Sequence, residues 1–323
     1  MAMQISGVTI RGGMNILPAG GSSPSPSPSP TPYSFQGSTS GYAMGGGTDH
    51  QSPNQQTNTI QKFSFSSDGS ATDVGDLTEA IWFAAGQKST VSGYRSGGST
   101  PSRVDSIDKF PFASDGNATD VGNLTQGRRG ASGQSSSASG YSSGGDAPPS
   151  VNTIDKFPFS SDANATDVGD LSGGRQFTAG QSSSDNGYTT GGHPESNIID
   201  KFPFASDSNA TDVGDLTVAR GLVAGHSSSA SGYTSGGTFD KSIIDKFSFA
   251  SGGNATDVGD ITRGIYGPSG QSSTASGYTS GGTNAQNSAD TTIIDKFSFT
   301  TDGNAADVGD LATGVYGSVG TQV

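Results

Sequence analysis

The stretch GYSSGGDAPPSVNTIDKFPFSSDANATDVGDL, residues 140–171, is one of six versions of the same phrase in this chain of 323 residues. Its two landmarks are a GY..GG motif and a KF.F motif. The tyrosines are Tyr42, Tyr94, Tyr141, Tyr188, Tyr233 and Tyr278, and the lysines are Lys62, Lys109, Lys156, Lys201, Lys246 and Lys296. The repeat is therefore 45 to 52 residues long, a period typical of propellers and solenoids.

All changes in repeat length fall in one connection. From each lysine to the next tyrosine the distance is 32 residues in all five cases, whereas from a tyrosine to its following lysine it varies between 13 and 20 residues. Surface loops tolerate insertions better than packed strands do. The constant part is therefore predicted to be scaffold, and the variable part a surface loop.

Four short segments make up each unit. In the third copy they are RRGASGQSS (128–136), GYSSGG (140–145), NTIDKFPFSS (152–161) and ATDVGDL (165–171). All are too short and too rich in glycine for helices, and Ser, Asp, Asn and Gly separate them as turn residues do. Six such units predict an all-β chain, a six-bladed β-propeller with four-stranded blades that closes into a ring.

The two ends of the repeat region complement each other. The chain finishes with an inner-strand sequence that has no second strand after it, whereas the unit beginning at residue 33 has a poor first strand. We therefore expect residues 312–322 to complete the first blade, so that the propeller spans 33–323 and its ring closes within one sheet.

The order of the segments resembles the kelch class of propeller, in which the second strand ends in Gly-Gly. GYTSGG at 232–237 and again at 277–282 carries this resemblance. The chain departs from the kelch pattern because it lacks the tryptophan of the fourth strand, its one tryptophan being Trp82. We expect Phe110 and Phe112, with their equivalents in the other blades, to fill that space.

The variable loops are expected to lie on one face of the disc, because every connection between strands two and three reaches the same rim. A rigid scaffold with divergent loops on one rim favours recognition, although tolerance of insertions alone would also explain the variation. These loops offer polar groups suited to sugars or polar protein surfaces. The predicted ligand-binding residues are His50, Gln51, Asn54, Arg103, Asp105, Asp146, His193, Glu195, Phe239, Asp240, Asn284 and Gln286.

Composition argues against several classes of partner. The formal net charge is −13, so we expect no nucleic acid partner, since such binding depends on Lys and Arg clusters. The chain has no cysteine, which excludes disulfides and Cys-ligated metals. Neither a basic start followed by a long apolar run nor a membrane-length apolar stretch is present, so we expect neither a secretion signal nor membrane insertion.

Several repeated motifs have a structural explanation beside a functional one. SDGNATDVGN (114–123) has oxygen-bearing side chains at spacings similar to those of a calcium loop, but no bidentate Glu follows at the twelfth position. Asx-type turns explain this motif and the glycosylation-like NAT triplets better, so no cofactor is expected and calcium stays a minority hypothesis. The repeated lysines are expected in charge pairs within or between blades.

Catalytic residues are not predicted. No combination of His, Ser and Asp recurs, and the histidines are His50, His193 and His226. We therefore expect the chain not to be an enzyme. The arginines that enter the inner strands either line the central channel or cover apolar surface with their stems. They are Arg128, Arg129, Arg175, Arg220 and Arg263.

Residues 1–32 stand outside the repeats. Residues 1–17 alternate apolar and polar positions around Gly12-Gly13, which predicts a small β-ribbon too short to be stable alone and therefore a docking peptide. Residues 18–32 contain a Ser-Pro tract that predicts an extended spacer. The predicted docking residues are Ile5, Val8, Ile10, Met14 and Ile16.

This layout, with GVTIRGGMNI (7–16) before units such as IDKFPFASDGNATDVGNLT (107–125), resembles virion structural proteins of bacteriophages, particularly marine and cyanobacterial phages. The resemblance implies a non-enzymatic tail fibre, spike or decoration protein, assembled in the host cytoplasm and exposed on the virion. Residues 1–17 would dock on other virion proteins, and the propeller would contact a host-surface polysaccharide or receptor. Two alternatives stay open: a purely structural decoration or adaptor protein, and a glycan-degrading propeller enzyme.

Overall fold

The computed structural model describes residues 34–49, 55–284 and 289–323, which form strands and no helix. Within these ranges, accordingly, there is no helix that could span a membrane. The docking peptide and the Ser-Pro spacer lie outside the described residues. The prediction of an all-β, six-bladed propeller with four-stranded antiparallel blades is confirmed.

The strands are numbered in chain order. Blades one to three consist of β26 (Val319–Gln322), β1 (Ser40–Met44), β2 (Thr59–Ser64) and β3 (Thr72–Asp76); β4 (Ala85–Lys88), β5 (Ser92–Ser96), β6 (Ser106–Pro111) and β7 (Thr119–Asn123); and β8 (Ser132–Ser135), β9 (Ser139–Ser143), β10 (Thr153–Pro158) and β11 (Thr166–Asp170).

Blades four to six follow the same order. They consist of β12 (Ala179–Ser182), β13 (Asn186–Thr190), β14 (Ile198–Pro203) and β15 (Thr211–Asp215); β16 (Ala224–Ser227), β17 (Ser231–Ser235), β18 (Ile243–Ser248) and β19 (Thr256–Asp260); and β20 (Ser269–Ser272), β21 (Ser276–Ser280), β24 (Ile293–Ser298) and β25 (Ala306–Asp310). A small hairpin, β22 (Thr283–Asn284) and β23 (Ala289–Asp290), lies in the variable loop of blade six.

The ring closes in blade one, where the last strand of the chain pairs with the first. β26 runs antiparallel to β1, with Met44 opposite Val319 and Gly41 opposite Gln322. The inner strand and the other three strands of this blade therefore come from opposite ends of the repeat region. Opening the ring requires breaking this ladder as well as a contact between blades.

The inner strands meet around a narrow axis, and glycine makes this approach feasible. A Cβ atom added to Gly133 would collide with the carbonyl oxygen of Gly86 in the neighbouring blade. The same clash recurs at each step around the ring. The six glycines are Gly86, Gly133, Gly180, Gly225, Gly270 and Gly320.

Aromatic residues form the core between blades. Tyr42 of blade one packs against Phe110 and Phe112 of blade two, with ring centroids 5.4 and 5.3 Å apart. Tyr141 of blade three likewise packs on Phe202 and Phe204 of blade four. Because each tyrosine is buried against the next blade, the contact fixes the relative position of neighbouring blades.

The prediction that the repeated lysines form charge pairs is confirmed for five of the six, and these pairs cross between blades. Lys109, for example, lies 3.0 Å from Asp162, which belongs to the turn between strands three and four of the next blade. Five such pairs are present: Lys62–Asp115, Lys109–Asp162, Lys156–Asp207, Lys246–Asp302 and Lys296–Asp68. At the turn that would face Lys201, Gly252 stands in place of the aspartate.

The calcium-like motif serves the scaffold through its side-chain oxygens. Asn117 accepts a hydrogen bond at 3.0 Å from the backbone N–H of Asp76, at the edge strand of the preceding blade. Asp120 accepts one at 3.1 Å from the N–H of Gly122, as an Asx-turn does. The described residues contain no cluster of three or more His, Cys, Asp or Glu suited to a metal ion.

The interpretation in which the arginines line the channel is wrong for three of them. They lie inside their blades because each neutralises a buried aspartate on strand three, which would otherwise be an uncompensated charge. The pairs are Arg128–Asp155, Arg175–Asp200 and Arg220–Asp245, each at 2.9 Å. Two other arginines lie near the variable loops, where Arg129 pairs with Asp146 and Arg263 donates a hydrogen bond to Thr291.

Candidate functional site

The central channel has two mouths, and the chain itself covers one of them. Phe35 lines this end of the channel, and Gly37 donates its backbone N–H to the carbonyl of Ser272 at 2.7 Å. Lys88 projects here and donates a hydrogen bond of 3.1 Å to the carbonyl of Gln36. Burial lowers the pKa of Lys88 to about 8. We call this end the covered mouth.

The other mouth lies beside the variable loops. The residue three positions before an inner strand forms a backbone bridge with the first residue of the loop that follows Gly-Gly. Arg129 bridges to Asp146 in this way, and Gln176 bridges to His193. These loops therefore surround one mouth of the channel, and we call this side of the disc the loop face.

A closed ring of six backbone hydrogen bonds encircles the loop-face mouth. Each blade contributes one residue, whose N–H donates to the carbonyl of its counterpart in the preceding blade at 2.6 to 2.8 Å. Each ring N–H therefore already has an acceptor and is not available to donate to a ligand at this mouth. The residues are Phe83, Gly130, Phe177, Leu222, Gly267 and Gly317.

All six residues of this ring have a left-handed backbone. Glycine adopts this conformation freely in three blades, whereas the residues with side chains in the other three are strained by it. Phe83, Phe177 and Leu222 have φ angles of 54°, 55° and 56°. A bulky residue in this region costs about 1–3 kcal/mol, whereas glycine adopts it freely. The chain thus holds three large apolar side chains around the mouth against a local conformational cost.

An aromatic collar, formed by Trp82, Phe83, Phe177, Tyr266 and Tyr316, surrounds the loop-face mouth. Its rings are half-buried and contact one another. Phe83 lies 4.9 Å from Phe177 and 5.0 Å from Tyr316, and Tyr266 lies 5.6 Å from Tyr316. Burial raises the pKa of both tyrosines, so their hydroxyls remain protonated donors at neutral pH.

A cavity of about 360 Å³ opens beside the collar, and we call it the side cavity. Its volume lies within the range of about 300–1,000 Å³ that is usual for small-molecule sites. Phe239 stands at its edge with 78% of its surface exposed and a φ angle of 63°. The lining residues are Phe177, His193, Glu195, Leu222, Thr238, Phe239 and Tyr266.

The side cavity has an acidic edge. Glu195 lies 3.3 Å from Nδ1 of His193, and both residues are exposed. The pKa of Glu195 lies below its ordinary value, because its own backbone N–H and then the His193 ring bond the carboxylate. The pKa of Tyr266 is raised by burial and then by the negative charges of Asp240 and Asp290.

Comparison with known proteins supports the architecture. No protein-family model matches the chain, and no curated protein matches it. A solved structure described as the structure of YjhT is similar, with a TM-score of 0.61 and 14% sequence identity over 75% of this chain and 88% of that chain. At this identity the similarity shows a shared propeller fold.

The structure brings three of the predicted ligand-binding residues together, since His193, Glu195 and Phe239 all line the side cavity. Asp240 follows Phe239 with a φ angle of 51°. Elsewhere on the loop face, Arg103 lies 2.6 Å from Asp146, and Asn284 donates to the carbonyl of Gly264 at 2.7 Å.

The remaining predicted positions lie away from the side cavity or outside the described residues. The carbonyl of Asp105 accepts a backbone hydrogen bond from Leu124 at 2.7 Å, which is a scaffold contact. Other predicted residues lie outside the described ranges: His50, Gln51, Asn54 and Gln286, together with the docking residues Ile5, Val8, Ile10, Met14 and Ile16.

Sequence reasoning missed the collar and two walls of the side cavity, Phe177 and Leu222. A signal for them is present in the repeats, because three blades have glycine at a position where the others have Phe or Leu. A glycine that recurs at one position indicates a left-handed backbone. A large apolar residue at the same position is then an exception that points to a functional surface.

Proposed function

We propose that this chain is a non-enzymatic virion protein of the fibre or spike type, which is anchored through its N-terminal segment and presents the loop face to the host surface. The observation that carries the recognition role is the set of left-handed apolar residues at the loop-face mouth. The virion setting is supported by the resemblance of the N-terminal phrase and the repeats to phage structural proteins.

The apolar residues of the mouth support recognition because their left-handed backbone costs conformational energy, while their incomplete burial returns only part of the usual stabilisation. Phe177 and Leu222 are half-buried, and Phe239 is mostly exposed. Gly130, Gly267 and Gly317 occupy ring positions without strain, so closing the ring does not require a large side chain. Strained side chains of this kind cluster at ligand sites, where a bound partner makes use of their surface.

The placement of the variable loops supports recognition. They surround one mouth of the channel, whereas Phe35 lines the opposite mouth. Six loops on one rigid disc also allow several weak contacts to add together.

A glycan-degrading activity is less well supported by the chemistry of the side cavity. A glycosidase needs a general acid whose pKa is raised, beside a second carboxylate. Glu195, the carboxylate that lines the cavity, has a pKa lowered from its ordinary value and is exposed to water. Its position is better suited to accepting a hydrogen bond from a ligand.

The proposal is tested with phage particles that carry variants of the full chain. The double variant Phe177→Gly, Phe239→Ala alters the loop face, and Val91→Ala removes an exposed apolar residue in a strand-one to strand-two turn on the opposite face. We expect the double variant to lower the adsorption rate constant at least tenfold and the control to leave it unchanged. Unchanged adsorption by both would contradict the recognition role and favour a decoration protein.

A further inference from the structure

Building on this proposed function, we infer that the side cavity binds one neutral pyranose ring at the end of a surface glycan. The chemistry of its walls, the polar groups at its edge and the sign of its charge each restrict the ligand.

The walls of the side cavity match the apolar face of a sugar ring. Phe177, Leu222, Phe239 and Tyr266 present aromatic and aliphatic surface, whereas a pyranose has one face made of C–H groups. Aromatic faces carry partial negative charge and attract the slightly positive hydrogens of such a face. Phe239 is held by a left-handed backbone in an exposed position, so its ring surface is available to a ligand.

Polar groups at the edge match the hydroxyls of the same ring. Thr238 and Tyr266 have hydroxyl donors, and Glu195 and His193 add a carboxylate and an imidazole. The Thr238 oxygen accepts a hydrogen bond of 3.3 Å from the N–H of Gly221, which fixes the oxygen and leaves its proton to donate elsewhere. A few fixed polar groups on an apolar wall are what orients a small ligand.

The charge around the side cavity selects against anionic sugars. Glu195 lies in the lining, and the charges of Asp240 and Asp290 are close enough to raise the pKa of Tyr266. Arg129 lies over the Phe177 ring, but it is paired with Asp146 at 3.2 Å. The whole chain also has a net charge of −13. A carboxylated or sulfated sugar would meet like charges on approach and in the site, whereas a neutral hexose or N-acetylhexosamine would not.

The shape of the side cavity favours the terminal residue of a glycan. A volume of about 360 Å³ holds a small ligand, and the exposed Phe239 marks an opening to solvent through which the rest of a chain can leave. Neither the covered mouth nor the hydrogen-bonded ring offers comparable space, since the cavities there measure about 60 Å³ each.

Saturation-transfer NMR on the full chain tests this inference with defined probes. The probes are the methyl glycosides of glucose, galactose, mannose and N-acetylglucosamine, with methyl glucuronide as the anionic comparison. We expect at least one neutral glycoside to bind, and glucuronide to bind at least tenfold more weakly. Phe239→Ala and Thr238→Val should each weaken the bound neutral glycoside at least tenfold, and Val91→Ala should not.

Two results would overturn the inference: no neutral glycoside binds, or Phe239→Ala binds as well as the unaltered chain. Because Phe239 is mostly exposed, its replacement leaves the core intact, and a melting curve for each variant verifies this. If no glycoside binds but the loop-face variant still impairs adsorption, the recognition role stands and the sugar site fails. If glycosides bind but adsorption never depends on the loop face, the sugar site stands and the host-recognition role fails.

Discussion

Arg128 and Asp155 form an ion pair of 2.9 Å in which neither side chain is exposed. Asp155 also accepts hydrogen bonds from the backbone N–H and the hydroxyl of Thr125, which follows the outer strand of the preceding blade. The carboxylate thus links two strands of its own blade to the neighbouring blade. Burial lowers the pKa of Arg128, and the charge of Asp155 counteracts this shift.

Removing one member of this pair should destabilise the fold more than replacing both. Arg128→Val leaves a buried carboxylate without its counter-charge, which costs about 3–5 kcal/mol. The double variant Arg128→Val, Asp155→Gln copies blade one, where Val315 and Gln61 occupy the equivalent positions. Gln61 bonds there to both the carbonyl and the N–H of Thr313.

Urea unfolding measures both variants against the unaltered chain. We expect the double variant to recover about 2 kcal/mol or more of the free energy of unfolding that the single variant loses. Equal losses in the two variants would mean that altered side-chain packing, and not the unpaired charge, accounts for the lost free energy of unfolding.

His226 should make the stability of the fold depend on pH. It stands where four other blades have glutamine, and burial lowers its pKa from 6.5 to about 4. Between these values the unfolded chain binds the proton and the folded chain does not. The contribution of His226 to the free energy of unfolding is therefore fully present above pH 6.5. About 3 kcal/mol of it is lost as the pH drops to 4.

The variant His226→Gln isolates this contribution, since glutamine fits the same position in the other blades and does not titrate. Thermal unfolding between pH 4 and 7 should show a smaller loss of stability for the variant. All other titratable groups are the same in the two proteins, so the difference between their curves reports His226 alone. Parallel curves for the two proteins would contradict the buried, neutral imidazole.

Deleting residues 312–323 should sharply lower the melting temperature. The deletion removes β26 and with it Val315 and Val319, which are buried, and it exposes the edge of β1. A loss of about 5 kcal/mol corresponds to roughly 8 °C for a domain of this size. Deletion of residues 1–32 is the matched control and should leave the melting curve unchanged, because that segment lies outside the repeats.

The strands were predictable because their signals are local. The four segments predicted within residues 128–171 correspond to β8 to β11, although β9 begins one residue earlier than its segment, at Ser139. The variable connection falls between β9 and β10. Turn residues mark the strand ends within a single unit, and comparison of the units shows which spacings are constant. The charge pairs of the lysines were also predictable, because each pair joins one repeat position to another in the next blade.

The collar and the arginine pairs were harder to predict because they depend on how six blades meet. The strand-entry position of Arg128 is visible in the sequence, but the direction of its side chain depends on the packing of strand three. The hydrogen-bonded ring joins residues such as Phe83 and Gly317, which are far apart in the chain. Phe239 was found because it is a lone aromatic residue in a polar loop.

Replacing Phe177 with glycine should separate binding from stability. The substitution removes half-buried apolar contacts but relieves a left-handed φ angle of 55°, so we expect the free energy of unfolding to change by no more than about 1 kcal/mol. Phe157→Ala is the comparison, since Phe157 is buried in the core between blades and should cost about 3–5 kcal/mol.

Binding of the neutral glycoside by Phe177→Gly should fall at least tenfold, because Phe177 forms a wall of the side cavity. Calorimetric melting and saturation-transfer NMR on the same sample measure both quantities. A loss of more than about 2 kcal/mol would show that Phe177 stabilises the ring itself. In that case packing would explain the strained backbone of Phe177, and the strain would not indicate a recognition surface.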